Sequence, residues 1–312
     1  MNQTALVIVK SMGIGDLCIL IANIHAISKS TGKPVVVLAQ KNTQANSILK
    51  NDPHVKEVIE LDKKGFFNII KKIEPYKFSQ SYIYSDSLRL YMISKLSGIK
   101  QIFHYKFFSK RGKNFFKTAK KFTEKILNVE INSQSKIYCR NDDIQEAKKR
   151  YNITGKTKNI ICGISASGPT KRWEIKNFIK LFENLNSKHE CRFFLAGGIK
   201  DENLIQQVKD SSIGKNCISL SEMTIAEIMP IISSCQYCIS NDSGFAHISS
   251  GLNLKCLVLF MDSPPAAYGL YSKNISIIVP NGQTIDTCTH NTRGKDKISF
   301  DEVLKRSLEI IN

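Results

Sequence analysis

Short apolar runs alternating with stretches of helical spacing constrain this chain more than any other feature. Ala5-Leu-Val-Ile-Val9 precedes an apolar helical stretch from Leu17 to about Ser28. Pro34-Val-Val-Val-Leu38 is followed by Thr43–Lys50, Val55–Leu61 by Phe66–Ile73, and Phe78–Tyr84 by Ser87–Leu96. Strands made almost wholly of Val, Ile and Leu are covered on both faces, and helices placed between them imply parallel neighbours. The same rhythm returns later. Strands at Asn159–Ile164, Cys191–Leu195, Asn216–Leu220, Gln236–Ser240 and Lys255–Phe260 alternate with helices from about Ile175, at Glu202–Lys209, Ile225–Ser234 and Phe245–Leu252, and a last helix spans 300–311.

Between the two series lie a helix at Asp142–Tyr151 and the best linker, Asn152-Ile-Thr-Gly-Lys-Thr-Lys158. A chain of 312 residues is long for one core and comfortable for two domains of roughly 150 residues each. The expectation is an α/β protein of two Rossmann-like, doubly wound domains facing a central cleft, divided into residues 1–154 and 155–312. No internal repeat of fixed period is present.

The most informative turn is Ser240-Asn-Asp-Ser-Gly-Phe-Ala-His247, between a strand and a helix. Such a turn lies at the carboxyl end of a parallel strand, where α/β sheets bind ligands. Asp242 or Ser243 can cap the helix, and Gly244 admits a ligand close to the backbone. The helix then presents free N–H groups to an anion such as phosphate, or the turn is an ordinary capped one. Ser11-Met-Gly-Ile-Gly-Asp16 is the corresponding turn after the first strand. Its Gly13 and Gly15 allow a tight bend but form only part of a dinucleotide fingerprint. Asp16, at the helix start, reads either as a cap favoured by the dipole or as a carboxylate aimed at the cleft.

Residues 100–125 break the rhythm, with Lys106, Lys110, Arg111, Lys113, Lys117, Lys120 and Lys121 among Phe103, Tyr105, Phe107, Phe108, Phe115, Phe116 and Phe122. This mixture suits phosphate contact, a membrane interface or nucleic acid, and equally an amphipathic helix with its aromatics in the core. The net charge of +18 is uneven: residues 1–156 hold 28 Lys and Arg against 12 Asp and Glu, and residues 157–312 hold 17 against 15. One half therefore meets an anionic partner or surface, or carries a solvated lysine-rich face. A nucleic-acid reading rests on that half alone, and no nucleic-acid motif accompanies it.

The nine cysteines are scattered through apolar segments and read as reduced core residues. Cys235 and Cys238 form a lone C-x-x-C without a second pair. No apolar run reaches the ~20 residues that span a bilayer. The first residues read as a strand instead of a signal peptide, so the expected location is cytoplasmic.

The order of motifs in the second half resembles glycosyltransferase family nine, the heptosyltransferases of lipopolysaccharide core assembly. A small-residue loop, Ser165-Ala-Ser-Gly-Pro-Thr-Lys-Arg-Trp173, supplies Lys-x-Trp; Gly197-Gly198 follows a strand; Asn241-Asp-Ser-Gly-x-x-His247 comes next, and Ile298-Ser-Phe-Asp-Glu-Val303 resembles the closing helix. Ser11-Met-Gly-Ile-Gly-Asp16 resembles the family's opening loop. The resemblance implies the GT-B fold, the acceptor on the first domain and the nucleotide-sugar on the second. Asp16 matches the general base, and Lys171 the lysine on the donor diphosphate. Ser165, Ser167 and Thr170 fall in the phosphate loop, Gly198 in the adjoining glycine pair and Met223 near the nucleotide base. Asp242, Ser243, Gly244 and His247 match the signature turn. Gly13, Gly15, Lys110, Arg111 and Lys113 are the acceptor-side candidates.

Two departures stand near the donor site. Phe245 replaces a usual proline, and Met261-Asp-Ser-Pro264 replaces Gly-Pro-Thr. Lys171-Arg172-Trp173 also reads as a solvated helix start, and His247 as a helical residue packed on its own strand.

The function implied is inverting transfer of heptose from ADP-heptose to an anionic, lipid-linked lipopolysaccharide-core acceptor, at the inner face of the inner membrane. Such transfer needs a base on the acceptor and stabilisation of the departing diphosphate. No Asp-x-Asp occurs, which fits a site without metal, and no cofactor is expected. The alternatives are another nucleotide-sugar donor on the same fold, or a catalytically silent nucleotide-sugar-binding protein.

Overall fold

The computed structural model describes residues 4–10, 13–61, 65–105 and 114–312. Contacts divide the chain into two units, Met1–Tyr138 and Cys139–Asn312. In the first, strands β1 (Ala5–Val9), β2 (Val35–Ala39), β3 (Val55–Glu60), β4 (Gln80–Ile83) and β5 (Gln101–His104) form a parallel sheet in the order β3-β2-β1-β4-β5. The helices are α1 (Ile14–Thr31), α2 (Ala45–Ile48), α3 (Phe66–Ile73), α4 (Leu88–Leu96) and α5 (Phe115–Leu127). Every residue of β1 and β2 is buried, as expected of parallel strands covered on both faces. Gly32 ends α1 in the left-handed region, at φ 68°, where its amide and that of Lys33 reach back to the last-turn carbonyls.

Two elements of this unit lie in the stretch that breaks the rhythm, one of them the amphipathic helix that was one of its readings. Gln101-Ile-Phe-His104 is an edge strand paired with β4, too short and too polar at its ends to show an apolar run. α5 is an amphipathic helix that buries Phe116, Ala119 and Thr123. Its Phe122 meets Tyr84 and Tyr105 edge to face, at 5.5 and 4.9 Å between centroids. The aromatics Phe116 and Phe122 thus serve packing, and 106–113 lies outside the described residues.

In the second unit β6 (Lys158–Gly163), β7 (Cys191–Ala196), β8 (Cys217–Ser219), β9 (Tyr237–Asn241), β10 (Lys255–Leu259) and β11 (Ile275–Ile278) run parallel in the order β11-β10-β9-β6-β7-β8. Around them lie α6 (Asn141–Arg150), α7 (Ile175–Lys188), α8 (Glu202–Lys209), α9 (Ile225–Ser234), α10 (Gly244–Gly251), α11 (Pro265–Tyr268) and α12 (Phe300–Ile311). β11, Ile275-Ser-Ile-Ile278, is the other strand absent from the expected series; its apolar run is four residues long and broken by a serine.

The expected division at 154/155 is corrected to one between Tyr138 and Cys139. The cause is α6, which packs on α9: the Ser234 hydroxyl donates to the Ile144 carbonyl at 3.3 Å. The expected linker is a turn inside the second unit. Asn152 takes a left-handed φ of 49°, and the Arg192 guanidinium holds the carbonyls of Tyr151 and Asn152.

Strand order places the ligand edge. β6 has β7 on one side and β9 on the other, so the connections leaving their carboxyl ends run apart, and this reversal opens a crevice. The same reversal falls between β1 and β4 in the first unit.

Candidate active site

At the reversal in the second sheet, Gly163 ends β6 beside Ser240 of β9. A Cβ at Gly163 would stand 2.0 Å from the Ser240 Oγ, so only glycine lets these strand ends approach. The next residue of β9, Asn241, is buried and staples the neighbouring loop at both ends. Its Nδ2 donates to the Ile164 carbonyl at 2.9 Å, and its Oδ1 accepts from the Trp173 amide at 3.1 Å. Trp173 is buried against Phe178, 5.1 Å between centroids. The Lys-x-Trp spacing now has a physical sense: the indole anchors the loop in the core, and Lys171 emerges two residues earlier from a 3₁₀ turn, Pro169–Lys171.

Asp242 is the centre of the site. Its carboxylate lies 3.9 Å from the Lys171 Nζ and 3.5 Å from the His247 Nε2, and it accepts a hydrogen bond from the Ser263 hydroxyl. Burial pushes its pKa up, but the hydrogen bond and charge of His247, the Ser263 hydroxyl and the Lys171 charge outweigh burial and hold it below the usual carboxylate range. On its other side the imidazole is fixed by Tyr271, whose hydroxyl is 3.0 Å from the His247 Nδ1. His247 is therefore a buried residue with a polar partner on each nitrogen.

Asp242 does not cap α10. The N-cap is Ser243, whose backbone is extended and whose side chain makes no capping bond; its hydroxyl sits 3.1 Å from that of Ser240. The first turn of α10, beginning at Gly244, thus has no side-chain cap. A helix N-terminus beside an ammonium group suits a phosphate, and an adjoining carboxylate suits the hydroxyls of the molecule that carries it.

Of the other candidates in this unit, Ser165 is buried and Ser167 exposed on the same loop. The Thr170 hydroxyl donates to Asp262 Oδ2 at 2.6 Å. The Gly198 amide is taken by Asp201, 3.0 Å away, and Asp201 pairs with Arg172 at 3.3 Å. Met223 lies between β8 and α9, where its sulfur accepts from the Tyr151 hydroxyl at 3.6 Å. Both side chains line a cavity of about 220 Å³ between α6 and α9. The structure therefore gathers Lys171, Asp242 and His247 in contact, while Gly198 and Met223 sit on other loops with partners of their own.

In the first unit, Gly13 is the N-cap of α1 with extended backbone, and among the described residues, its chain neighbours aside, nothing lies within 4 Å of where its Cβ would be. Gly15 and Asp16 are in the first turn, Asp16 half-buried where the dipole favours a carboxylate. Lys110, Arg111 and Lys113 lie outside the described residues.

Reading motifs alone missed Ser263, Tyr271, Asp262 and the Arg172–Asp201 pair. Met261-Asp-Ser-Pro264 was legible only as a departure from a pattern, and Tyr271 carried no signal because its partner, His247, lies 24 positions away. All nine cysteines are free, and Cys235 and Cys238 are buried at the end of α9 and on β9. Among the described residues no group of three or more His, Cys, Asp or Glu could hold a metal ion, and no helix is long and apolar enough to cross a membrane.

The sequence model of glycosyltransferase family 9 (heptosyltransferase) matches residues 110–297. Lipooligosaccharide heptosyltransferase 2 of Haemophilus influenzae is 27% identical over 129 residues, 40% of this chain and 37% of that protein. Its namesake in Haemophilus ducreyi is 29% identical over 121 residues, 36% of this chain and 34% of that one. The chain thus spans about a third of the length of the curated relatives it matches, 30% to 37%. Among solved structures, E. coli ADP-heptose LPS heptosyltransferase II superposes with a TM-score of 0.78 at 16% identity, over 99% of this chain and 98% of its own. A family 9 glycosyl transferase from Veillonella parvula gives 0.82 at 17%, over 100% and 98%. Two parallel α/β sheets in this arrangement are the GT-B fold.

Proposed function

The chain belongs to glycosyltransferase family 9, and from that premise we propose that it transfers heptose from ADP-heptose, with inversion and without a metal ion, to a lipid-linked lipopolysaccharide-core acceptor. The observation that carries this reading is the pairing of the Lys171 ammonium with the Asp242 turn at the uncapped start of α10, on the two loops that flank the strand reversal. In an inverting transfer negative charge grows on the leaving diphosphate, and donors already in place stabilise it without reorganising. Lys171 and the α10 amides supply those donors. Asp242, kept ionised by its neighbours, accepts from sugar hydroxyls.

Asp16 acts as the base on the acceptor hydroxyl, and Gly13 and Gly15 let the acceptor approach the start of α1. The basic stretch containing Lys110, Arg111 and Lys113 meets the anionic acceptor or the cytoplasmic membrane surface that holds it. The domain line follows: residues 1–138 take the acceptor and 139–312 the nucleotide-sugar.

A second reading keeps the fold and reaction but changes the sugar. It is favoured by Phe245 and by Met261-Asp-Ser-Pro264, both beside the donor turn. Thermal denaturation with ADP-, UDP-, GDP- and CMP-sugars separates the two, since a ligand bound only by the folded state raises Tm by mass action. ADP-heptose should give the largest rise, followed by release of ADP when acceptor is added. A larger rise with another nucleotide-sugar replaces the donor. Binding without turnover on any acceptor fragment makes the chain a nucleotide-sugar-binding protein.

A further inference from the structure

Asp262 follows β10 and is 7% exposed. Each of its oxygens has a protein partner. Oδ2 accepts from the Thr170 hydroxyl at 2.6 Å, and Oδ1 accepts from the Arg293 amide at 2.8 Å. Thr170 belongs to the 3₁₀ turn that carries Lys171. Arg293 belongs to a segment returning toward β10, where the Gly294 amide donates to the Met261 carbonyl at 2.8 Å. That return is tightly defined: Arg293 is left-handed at φ 47°, and a Cβ at position 294 would stand 2.3 Å from the Pro280 Cγ.

A threonine hydroxyl has a single proton to give, and a phosphate oxygen is only an acceptor. With that proton on Asp262, Thr170 has nothing to donate to a diphosphate. The neighbouring residue is the one that does. Lys171 carries four rotatable carbons, and its ammonium is ordered 3.9 Å from Asp242 only if its backbone is fixed. The loop has Asn241 and Arg172 near its ends, the latter through the Ala166 carbonyl at 3.0 and 3.2 Å. Within the turn the amides of Lys171 and Arg172 donate to the carbonyls of Gly168 and Pro169, at 3.1 and 3.3 Å, and the Thr170–Asp262 bond ties that turn to the segment after β10.

We propose that Asp262 is a positioning residue for the donor diphosphate: through the Thr170 hydroxyl it latches the 3₁₀ turn so that Lys171 stands at the start of α10, and Thr170 acts as the latch and not as a phosphate donor. The inference rests on the donor-site reading above and deepens it. It also gives a role to Asp262 within the stretch where the chain departs from its family.

The test uses the full chain and ADP as probe. Thr170→Val removes the proton and keeps the branched shape; Thr170→Ser keeps the hydroxyl; Asp262→Ala removes the acceptor. Losing one hydrogen bond should weaken ADP binding about 3–10-fold in Thr170→Val and in Asp262→Ala. The double variant should lose no more than either single, as expected of two ends of one bond. Thr170→Ser should bind like the wild type. In a Lys171→Met background, Thr170→Val should no longer change ADP affinity, an outcome that a general loss of folding stability cannot produce. If Asp262→Ala fails to fold, Asp262→Leu serves in its place: it fills the same space with a branched end that neither accepts nor donates, so the turn loses the same bond.

Three results overturn the proposal: Thr170→Val weakening ADP while the Asp262 variant does not, additive losses in the double variant, or an undiminished Thr170→Val effect without Lys171. Wild-type protein that binds no nucleoside diphosphate overturns the functional reading instead. Hydrogen exchange of the amides of Gly168, Thr170, Lys171 and Arg172 in the unliganded protein still decides the latch in that event. Exchange should rise in Thr170→Val and Asp262→Ala, and unchanged exchange removes the latch.

Discussion

Lys171→Met separates the contact that Lys171 makes with Asp242 from the diphosphate contact proposed for it. The substitution keeps the apolar stem and deletes the ammonium. In the free protein the Nζ lies 3.9 Å from Asp242 Oδ2, with the side chains 22% and 10% exposed. At an effective dielectric of about 20 the gross attraction at that separation is ~4 kcal/mol. Desolvation of both groups offsets most of it, and Asp242 keeps His247 and Ser263 as partners, so the net loss of stability is about 1–2 kcal/mol. In a unit of this size that lowers Tm by roughly 2–8 °C. With ligand bound, a charge-assisted hydrogen bond to the diphosphate is lost, which costs about 1.5–3 kcal/mol, or roughly 10–100-fold in Kd for ADP. Titration calorimetry with ADP and thermal denaturation of the same samples measure the two effects apart. A Tm drop of this size with ADP affinity within twofold of wild type refutes the argument, because Lys171 is then only the counter-ion of Asp242.

Asp16→Asn keeps the shape of the α1 first turn but cannot take a proton, so turnover should fall about 10²–10⁴-fold while ADP affinity stays near wild type; near-normal turnover makes Asp16 a dipole-favoured helix residue alone. Asp242 is held below the usual carboxylate range, so its contribution to stability is present above the unfolded value near ~3.9 and is lost as pH falls through the lower folded value. The Tm gap between wild type and Asp242→Asn should therefore hold from neutral pH to about 4 and shrink below it, and a gap unchanged at lower pH contradicts the assignment. Replacing Lys110, Arg111 and Lys113 together with Ser should raise the acceptor KM at low salt and flatten its rise with salt, since exposed contacts are screened as the Debye length falls from ~10 Å at 0.1 M to ~3 Å at 1 M. The same salt response in the triple variant places acceptor docking elsewhere. Turnover should survive EDTA, and its loss on chelation with recovery on adding a divalent ion would return a metal to the mechanism.

The strand–helix alternation was legible because a parallel strand covered on both faces has to be written as an unbroken apolar run. β1 and β2 are wholly of that kind, and β6, β7, β9 and β10 each hold an apolar run of three or four residues beside polar ones. Of the strands that went unseen, β5 is short and only partly buried, so nothing compels an apolar run there, while β11, Ile275-Ser-Ile-Ile278, is apolar but only four residues long and broken by a serine. The domain boundary was misjudged for a related reason. Polar, glycine-containing Asn152–Lys158 has the composition of a linker, yet Arg192, 40 positions away, ties its Asn152 carbonyl into the second unit. A hydrogen bond from a distant arginine leaves no mark on the sequence of the segment that accepts it.

At the site the same line separates what could be read from what could not. The α10 turn and the Lys-x-Trp spacing are local, each written in residues a few positions apart, so the sequence by itself determined that the second half offers a helix start and a lysine as candidates for an anion site. Which groups face one another was decided by the fold. Asp242 and Ser243 both have the chemistry of a cap, but Lys171 and Ser263 draw the Asp242 carboxylate to themselves across 71 and 21 positions, and the cap falls to Ser243. Thr170 has the chemistry of a phosphate donor until Asp262, 92 positions on, takes its only proton. Residue types state what a group is able to donate, accept or hold. Only tertiary structure supplies the partner that uses up that capacity, because charge and hydrogen bonding act through distances of a few ångströms that have no counterpart along the chain.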